Sequence, residues 1–206
     1  MVKRTFRTLL LFVGPLLILS ACAAGSLLHV PGELTRPARS VKPAAGAPQV
    51  AVLDFSYAAA PDGVLGRDFD RVRPIVWKGQ PGKAMADLIA GALGESGVAA
   101  VRRGADAQGA EAVPVRISGV VRRFEVNTRR TRGVNVTTEA TVSVTFTAEG
   151  PGLSGPSEHT VTSSTSLEDL FVTPDDLREA LTSAANTVAE EAVRKLLEAK
   201  VVSPAS

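Results

Sequence analysis

A run of fifteen residues in which apolar and polar side chains alternate constrains the fold of this 206-residue chain more than any other feature. From Val134 to Ala148 the even positions are apolar, with Thr138 as the exception, and the odd positions carry Asn, Thr, Glu or Ser. Because successive side chains of a strand point to opposite faces, this period predicts one long strand with a dry and a wet face. Such a strand needs partner strands and a covering layer.

The residues around this strand predict its partners. Val113 to Val121 alternate in the same way, after which Phe124 and Val126 change parity, so we expect a bulge near Arg122 and a hairpin tip over residues 127–133. A segment rich in Thr and Ser, from 159 to 167, predicts an edge strand. Two shorter apolar runs, 50–55 and 98–101, predict further strands.

Two amphipathic helices complete the predicted layout. The first covers 83–96, with its apolar residues on one face and Gly97 as a stop signal. The second follows Thr173-Pro174-Asp175-Asp176, a capping sequence, and runs to Lys200. The order β-α-β-β-β-β-α predicts an α+β fold, a two-layer sandwich of a mostly antiparallel sheet with the two main helices packed on one face.

The amino terminus has the pattern of a secretory signal. Residues 1–21 carry three basic residues, then an apolar run of 11 residues from Leu9 to Leu19, then Ser20 and Ala21. A membrane-spanning helix needs about 20 apolar residues, so this run is too short for a permanent span. We therefore interpret 1–21 as a signal peptide, 22–49 as an anchored flexible tether and 50–200 as one α+β domain.

Cys22, the single cysteine of the chain, follows that signal directly. Leu19-Ser20-Ala21-Cys22 resembles the bacterial lipobox, and the resemblance implies a diacylglyceryl thioether and an N-acyl group such as palmitate on Cys22. Ala23 in the next position favours the outer membrane, facing the periplasm, by resemblance to known sorting patterns. The alternative is an ordinary signal peptide that leaves Cys22 as a free thiol, a liability in an oxidising compartment.

Composition describes the segment after Cys22 and the charge of the mature chain. Residues 23–49 contain four prolines and three glycines, and a coil of this length spans about 30 Å; the alternative is that Leu27, Leu28 and Val30 pack on the domain.

Removing 1–21 takes away three of the 23 basic side chains and none of the 21 acidic ones. The mature chain is therefore nearly neutral, which predicts no nucleic-acid partner.

The layout resembles the YajG-like family of bacterial envelope lipoproteins. The resemblance is carried by the lipobox at Cys22, Val50-Ala-Val-Leu-Asp-Phe, the helix over 84–93, Ile117-Ser-Gly-Val-Val-Arg-Arg-Phe-Glu-Val, the long Thr/Val strand and the Ala-rich final helix. It implies an envelope location and a protein partner there, and no settled biochemical activity. The chain is more remotely similar to envelope lipoproteins that assist transport systems or activate cell-wall synthases.

The sequence predicts no catalytic residue, no metal site and no cofactor. The two histidines, His29 and His159, lie far apart in the chain and without clustered ligands or a nucleophile motif. Asp68 and Asp70 are the one acidic pair that permits a weak hydrolase hypothesis. We therefore expect a protein that is not an enzyme.

Two sets of residues are candidates for binding. The long connection from 56 to 81 predicts a partner-binding loop, because loops of this length are often functional and Trp and Arg are common anchors; its candidates are Tyr57, Phe69, Arg71, Arg73 and Trp77. The alternative is a loop whose aromatic rings only cap the core. A basic cluster predicts an anion-binding surface, with a solvated strand face as the alternative; it comprises Arg122, Arg123, Arg129, Arg130 and Arg132.

These features favour a lipid-anchored, periplasm-facing interaction or accessory component of an envelope assembly or transport system. The alternative is a module that binds a lipid or a glycan. An exposed Trp77 beside a filled core favours the first function, and an apolar cavity beside the Trp77 loop favours the second. The sequence permits a dimer through the final helix or the edge strand and does not require one, so the oligomeric state stays open.

Overall fold

A mixed main sheet and a small second sheet build the fold. The computed structural model describes residues 27–36, 49–57, 63–69, 73–104, 113–131, 133–151, 153 and 155–203. In chain order the elements are β1 (Leu28–His29), β2 (Val50–Leu53), β3 (Ser56–Tyr57), β4 (Val64–Arg67), β5 (Pro74–Val76), α1 (Pro81–Glu95), β6 (Ala100–Arg103), β7 (Val115–Arg130), β8 (Val136–Glu149), β9 (Ser157–Asp169) and α2 (Pro174–Glu198).

The main sheet has the order β6-β2-β7-β8-β9, with β3 also paired to β7. Strands β7, β8 and β9 are antiparallel neighbours, whereas β2 runs parallel to both β6 and β7. Helix α1 lies between β5 and β6 in the chain and packs on the end of the sheet that holds β2 and β6, and α2 packs on β8 and β9 beside α1. The predicted α+β sandwich with a mostly antiparallel sheet and two helices is confirmed.

The core lies between the helices and one face of the main sheet. Alternate residues of β7 and β8, among them Ile117, Phe124 and Phe146, are fully buried in a core cluster that also includes Leu177 and Leu181 of α2. Each such side chain contributes roughly 1.5–3 kcal/mol on removal from water. The alternation seen in the sequence therefore identifies the core side of both long strands correctly.

The predicted bulge is confirmed between Val121 and Arg123, where the register of β7 against β8 shifts. The extra residue, Arg122, allows Val121 and Phe124 to share the buried face despite their changed parity. The hairpin tip begins after Arg130 and ends before Val136, rather than covering 127–133, because residues 127–130 stay paired with 136–139. Val134, which we expected to begin the strand, lies in this tip and is 72% exposed.

The 56–81 connection is not one long loop, because it contains β3, β4 and β5. Strands of two to four residues are too short to show a period in sequence. Strands β1, β5 and β4 form the small sheet, which packs on β7 through a close approach at Gly66: a Cβ there would lie 2.0 Å from the carbonyl oxygen of Val126. The backbone N–H of Arg67 also donates to Asn127 Oδ1 at 3.0 Å.

Residues 27–36 belong to the folded domain, although we expected the whole of 22–49 to be a flexible tether. Strand β1 pairs in parallel with β5, and Val30 is buried. Arg36 forms salt bridges with Glu95 of α1 at 2.8 Å and Glu190 of α2 at 3.2 Å. The alternative interpretation therefore holds for Leu28 and Val30, while Cys22 lies outside the described residues.

The capping sequence before α2 yields a stability prediction. Thr173 Oγ1 accepts from the backbone N–H of Asp176 at 3.3 Å, and the Asp176 carboxylate accepts from the backbone N–H of Thr173 at 2.7 Å. We expect Thr173→Ala to lower the free energy of unfolding by about 1 kcal/mol, measured by urea denaturation. Thr187→Ala, the same change at an exposed mid-helix position, is the control. Equal effects of the two changes would contradict a capping role.

Candidate functional site

Trp77, the candidate anchor of the partner-binding loop, is buried. Its side chain is 4% exposed, its ring stacks on Phe124 with centroids 5.4 Å apart, and its Nε1–H donates to the carbonyl oxygen of Gly32 at 2.9 Å. Of the two interpretations of this loop, the structure supports the one in which its aromatic rings cap the core, because the small sheet carries Trp77 onto that core. In this arrangement Trp77 stabilises the fold and offers no surface to a partner.

Tyr57 joins the same aromatic group. Its ring meets Phe124 edge-on with centroids 6.4 Å apart, and its hydroxyl donates to the carbonyl oxygen of Phe124 at 3.5 Å. Burial, and secondarily the charge of Glu125, raises the pKa of Tyr57. A cavity of about 310 Å³ opens beside Trp77 at the start of α1 and includes Tyr57 and Phe55 in its lining. This is close to the lower limit for small-molecule sites.

Asp68, the acid of the weak hydrolase hypothesis, has a structural partner. It is 4% exposed, and its carboxylate accepts from Arg73 Nε at 2.7 Å and from the Arg73 backbone N–H at 3.3 Å. This ion pair closes the turn between β4 and β5. Asp70 and Arg71 lie outside the described residues, so the structure does not describe the predicted acidic pair.

The five arginines predicted as one cluster are divided between two faces of the sheet. Arg122 donates to Thr145 Oγ1 at 3.4 Å, and Arg129 pairs with Glu139 at 2.7 Å; with Arg123 these residues lie on the exposed face. Arg130 lies on the opposite face, with Cζ 5.1 Å from the centre of the Phe69 ring. Arg132 lies outside the described residues. The division follows from strand alternation, because neighbouring positions point to opposite sides.

A groove with exposed hydrophobic walls lies at the end of the long hairpin. It has a volume of about 560 Å³ and lies between the hairpin tip, the turn after β4 and the connection from β9 to α2. We call it the end groove. Its apolar wall consists of Leu28, Phe69, Val134, Val136, Leu170, Phe171 and Val172. Its volume is within the range of small-molecule and cofactor sites.

The wall of the end groove is unusually exposed. Phe171 is 78% and Leu170 53% exposed, and Val134 is also mostly open to solvent. Together with Leu27, these are the exposed large hydrophobic residues of the described part of the chain. Single exposed hydrophobic residues are ordinary, whereas a contiguous group beside a groove marks a binding surface.

The polar lining of the end groove consists of Asp68, Arg73, Thr128 and Arg130. Asp68 and Arg73 pair with each other, as described above. Thr128 is buried, and its Oγ1 has no hydrogen-bond partner among the described residues. Arg130 is exposed and has no acidic partner in the described part of the chain. The groove therefore combines apolar walls with one unpaired hydroxyl and one available guanidinium.

Sequence reasoning singled out Asp68, Phe69, Arg73 and Arg130 but missed the rest of the end groove. The available signal was the pair Leu170-Phe171, two large apolar residues between the end of a strand and the Thr173 cap, outside any periodic pattern. Leu28 and Thr128 carry no such signal, because one lies in the predicted tether and the other continues the alternation of β7. Their roles depend on the way in which β1, β7 and the connection from β9 to α2 meet.

The described residues contain no group of three or more His, Cys, Asp or Glu side chains placed to hold a metal ion. No helix within those residues is long and apolar enough to cross a membrane. His159 Nε2 lies 2.8 Å from Ser157 Oγ, and no described carboxylate forms an ion pair with that ring. The predictions of no metal, no cofactor and no catalysis stay predictions.

No protein-family model matches the chain, and a search of curated protein sequences finds no match. A solved structure from Xanthomonas campestris, a protein of the DUF330 family, is 16% identical with a TM-score of 0.53, covering 85% of this chain and 97% of its own. This similarity shows a shared fold.

Two further solved structures align over much of the chain with lower scores. A minor lipoprotein from Acinetobacter baumannii is 14% identical with a TM-score of 0.39, over 78% of this chain and 98% of its own. The PelC dodecamer from Paraburkholderia phytofirmans is 21% identical with a TM-score of 0.40, over 74% and 93%. We base no conclusion about this chain on either.

The contrast between Trp77 and Phe171 gives a second prediction. We expect Trp77→Ala to lower the free energy of unfolding by about 3–5 kcal/mol, because it leaves a cavity against Phe124 and frees the Gly32 carbonyl. We expect Phe171→Ala to change it by less than about 0.5 kcal/mol. Urea denaturation followed by circular dichroism measures both. A Trp77→Ala protein as stable as the parent would restore the idea of an exposed loop.

Proposed function

We propose that this chain is a lipid-anchored protein of the bacterial cell envelope that works by binding, as an interaction or accessory component of an envelope assembly or transport system. The observation that carries the proposal is the place of Cys22, five residues before Leu27 and six before Leu28 in the wall of the end groove. Five residues reach at most about 18 Å. An acylated Cys22 would therefore hold the end groove close to the membrane surface.

The lipid anchor is supported by the signal pattern of residues 1–21 and by the lipobox at Cys22. Two or three acyl chains give stable anchoring where one chain is marginal. Ala23, after the cysteine, supports an outer-membrane position facing the periplasm. Since residues 27–36 pack on the domain, five residues, 22–26, separate them from the end of the signal pattern, so the domain has less reach than the 22–49 tether expected from sequence would give it.

A role without catalysis is supported by the contacts that the candidate reactive groups make. Asp68 is committed to Arg73, and His159 contacts Ser157 on an edge strand. A nucleophile needs a base that is itself oriented by a third group. The described residues supply no such third group for the pair of Ser157 and His159. The alternative function, a lipid- or glycan-binding module, is favoured by the end groove, by the burial of Trp77 and by the apolar cavity beside its ring.

Lipidation can be tested directly. We expect labelled palmitate to enter the parent protein and the protein to fractionate with membranes, and we expect Cys22→Ser to lose both properties. The matched control is Cys22→Ser combined with Ser26→Cys, which keeps one thiol near the amino terminus but removes it from Leu19-Ser20-Ala21. Labelling of that double variant, or membrane retention of Cys22→Ser, would contradict the lipobox assignment.

A protein partner can be tested by photo-crosslinking in living cells. A photoreactive residue at position 171, in the end groove, should form a specific adduct that mass spectrometry identifies. A probe at Ser164, exposed on the opposite face of the sheet, is the control. Adducts from 164 but not from 171 would place the binding surface on the open face of the sheet and contradict a role for the groove.

A further inference from the structure

We propose that the end groove binds an anionic glycerophospholipid of the leaflet that carries the Cys22 anchor, with an acyl chain against the apolar wall and the phosphate against Arg130. The choice of leaflet rests on the proposed lipid anchor, whereas the assignment of the groove as a lipid site rests on its lining alone. The proposal deepens the binding role above by giving the ligand its chemical class.

The apolar wall accounts for the acyl chain. Phe171, Leu170 and Val134 are more than half exposed and adjoin one opening, so a chain laid along them removes apolar surface of both partners from water. Each methylene buried in this way strengthens binding by about fourfold. Affinity should therefore increase with chain length until the groove is filled.

Arg130 accounts for the negative charge. Its guanidinium lies over the Phe69 ring, which orients the planar group and leaves its N–H edge for a ligand. Asp68 and Arg73, the other charged residues of the lining, neutralise each other through the 2.7 Å ion pair. The net charge of the lining is thus positive and comes from Arg130, which can hold a phosphate through two parallel hydrogen bonds.

Thr128 provides a third, independent contact. A buried hydroxyl without a partner is costly, and most buried polar groups in proteins have one. Among the described residues Thr128 Oγ1 has none, although the residue lines the groove. An ester carbonyl of the glycerol backbone would accept its hydrogen bond, between the phosphate at Arg130 and the acyl chain at the apolar wall.

The same lining argues against a glycan. Sugar rings present hydroxyl groups on most sides and need several donors and acceptors, whereas the described groove offers one unpaired hydroxyl and one available guanidinium. The exposed Phe171 and Leu170 give an amphiphile more apolar contact than a sugar can use. A lipid also has an immediate source, because an acylated Cys22 would hold the groove beside the membrane. Leu27, half exposed beside Leu28, lies five residues from Cys22.

The test uses the mature chain with Cys22→Ser, which carries no lipid of its own, and monomeric short-chain phosphatidylglycerol measured by titration calorimetry. We expect the dioctanoyl lipid to bind at least tenfold more tightly than the dihexanoyl lipid, and phosphatidylglycerol more tightly than phosphatidylcholine. Phe171→Ser should weaken binding about tenfold, and Arg130→Gln about five- to tenfold. Both residues are exposed, so unchanged thermal unfolding verifies that each variant folds.

Arg123→Gln is the matched control, since it removes the same charge from the exposed face and should change affinity less than twofold. Equal losses for Arg123→Gln and Arg130→Gln, or no dependence on chain length, would overturn the proposal. Inorganic phosphate that competes as well as the lipid would reduce the site to an anion site and also overturn it. Preferential binding of soluble oligosaccharides would also overturn the proposal and would identify the groove as a glycan site. Failure of palmitate labelling would reject the lipid anchor but not the lipid site, because the Cys22→Ser protein used in the calorimetry is not acylated.

Discussion

The indole ring of Trp77, stacked on Phe124 with centroids 5.4 Å apart, joins the two sheets of this protein. Trp77 directly follows β5 of the small sheet, and Phe124 comes from β7 in the middle of the main sheet. The bond from Nε1 to Gly32 adds the amino-terminal segment to the same junction. The position of the small sheet depends on this contact. So do the positions of the segment around Gly32 and of the end groove.

The bulge at Arg122 prepares the junction. Without an extra residue, Phe124 would point toward solvent, since its parity differs from that of Val121. The same bulge places Arg122 and Arg123 on the exposed face and leaves Arg130 on the covered side. One inserted residue thus provides the platform for Trp77 and separates the arginines into two environments.

The two faces of the main sheet have different chemistry. On the exposed face, hydroxyl groups of β8 and β9 pair across the strands: Thr141 with Ser164, Ser143 with Thr162, and Thr145 with Thr160. These pairs satisfy one another and leave little unmet bonding capacity. Thr128, whose buried hydroxyl has no partner among the described residues, lies at the end of the hairpin beside Arg130 and the exposed Phe171, and this asymmetry is why we place binding there. Connections carried by a rigid scaffold are a usual location for function.

The sequence by itself determined the features that depend on neighbouring residues. The alternation of the long strands, the bulge, the capping of α2 and the signal pattern before Cys22 are all local, because strand period, helix caps and signal motifs act within a few residues. Only the tertiary structure decided whether Trp77 was an anchor or a core residue, because its burial depends on Phe124, 47 positions away. The end groove is tertiary for the same reason: Leu28 of β1, Thr128 of β7 and Phe171 of the β9–α2 connection meet only when these distant segments fold to the same end of the sheet.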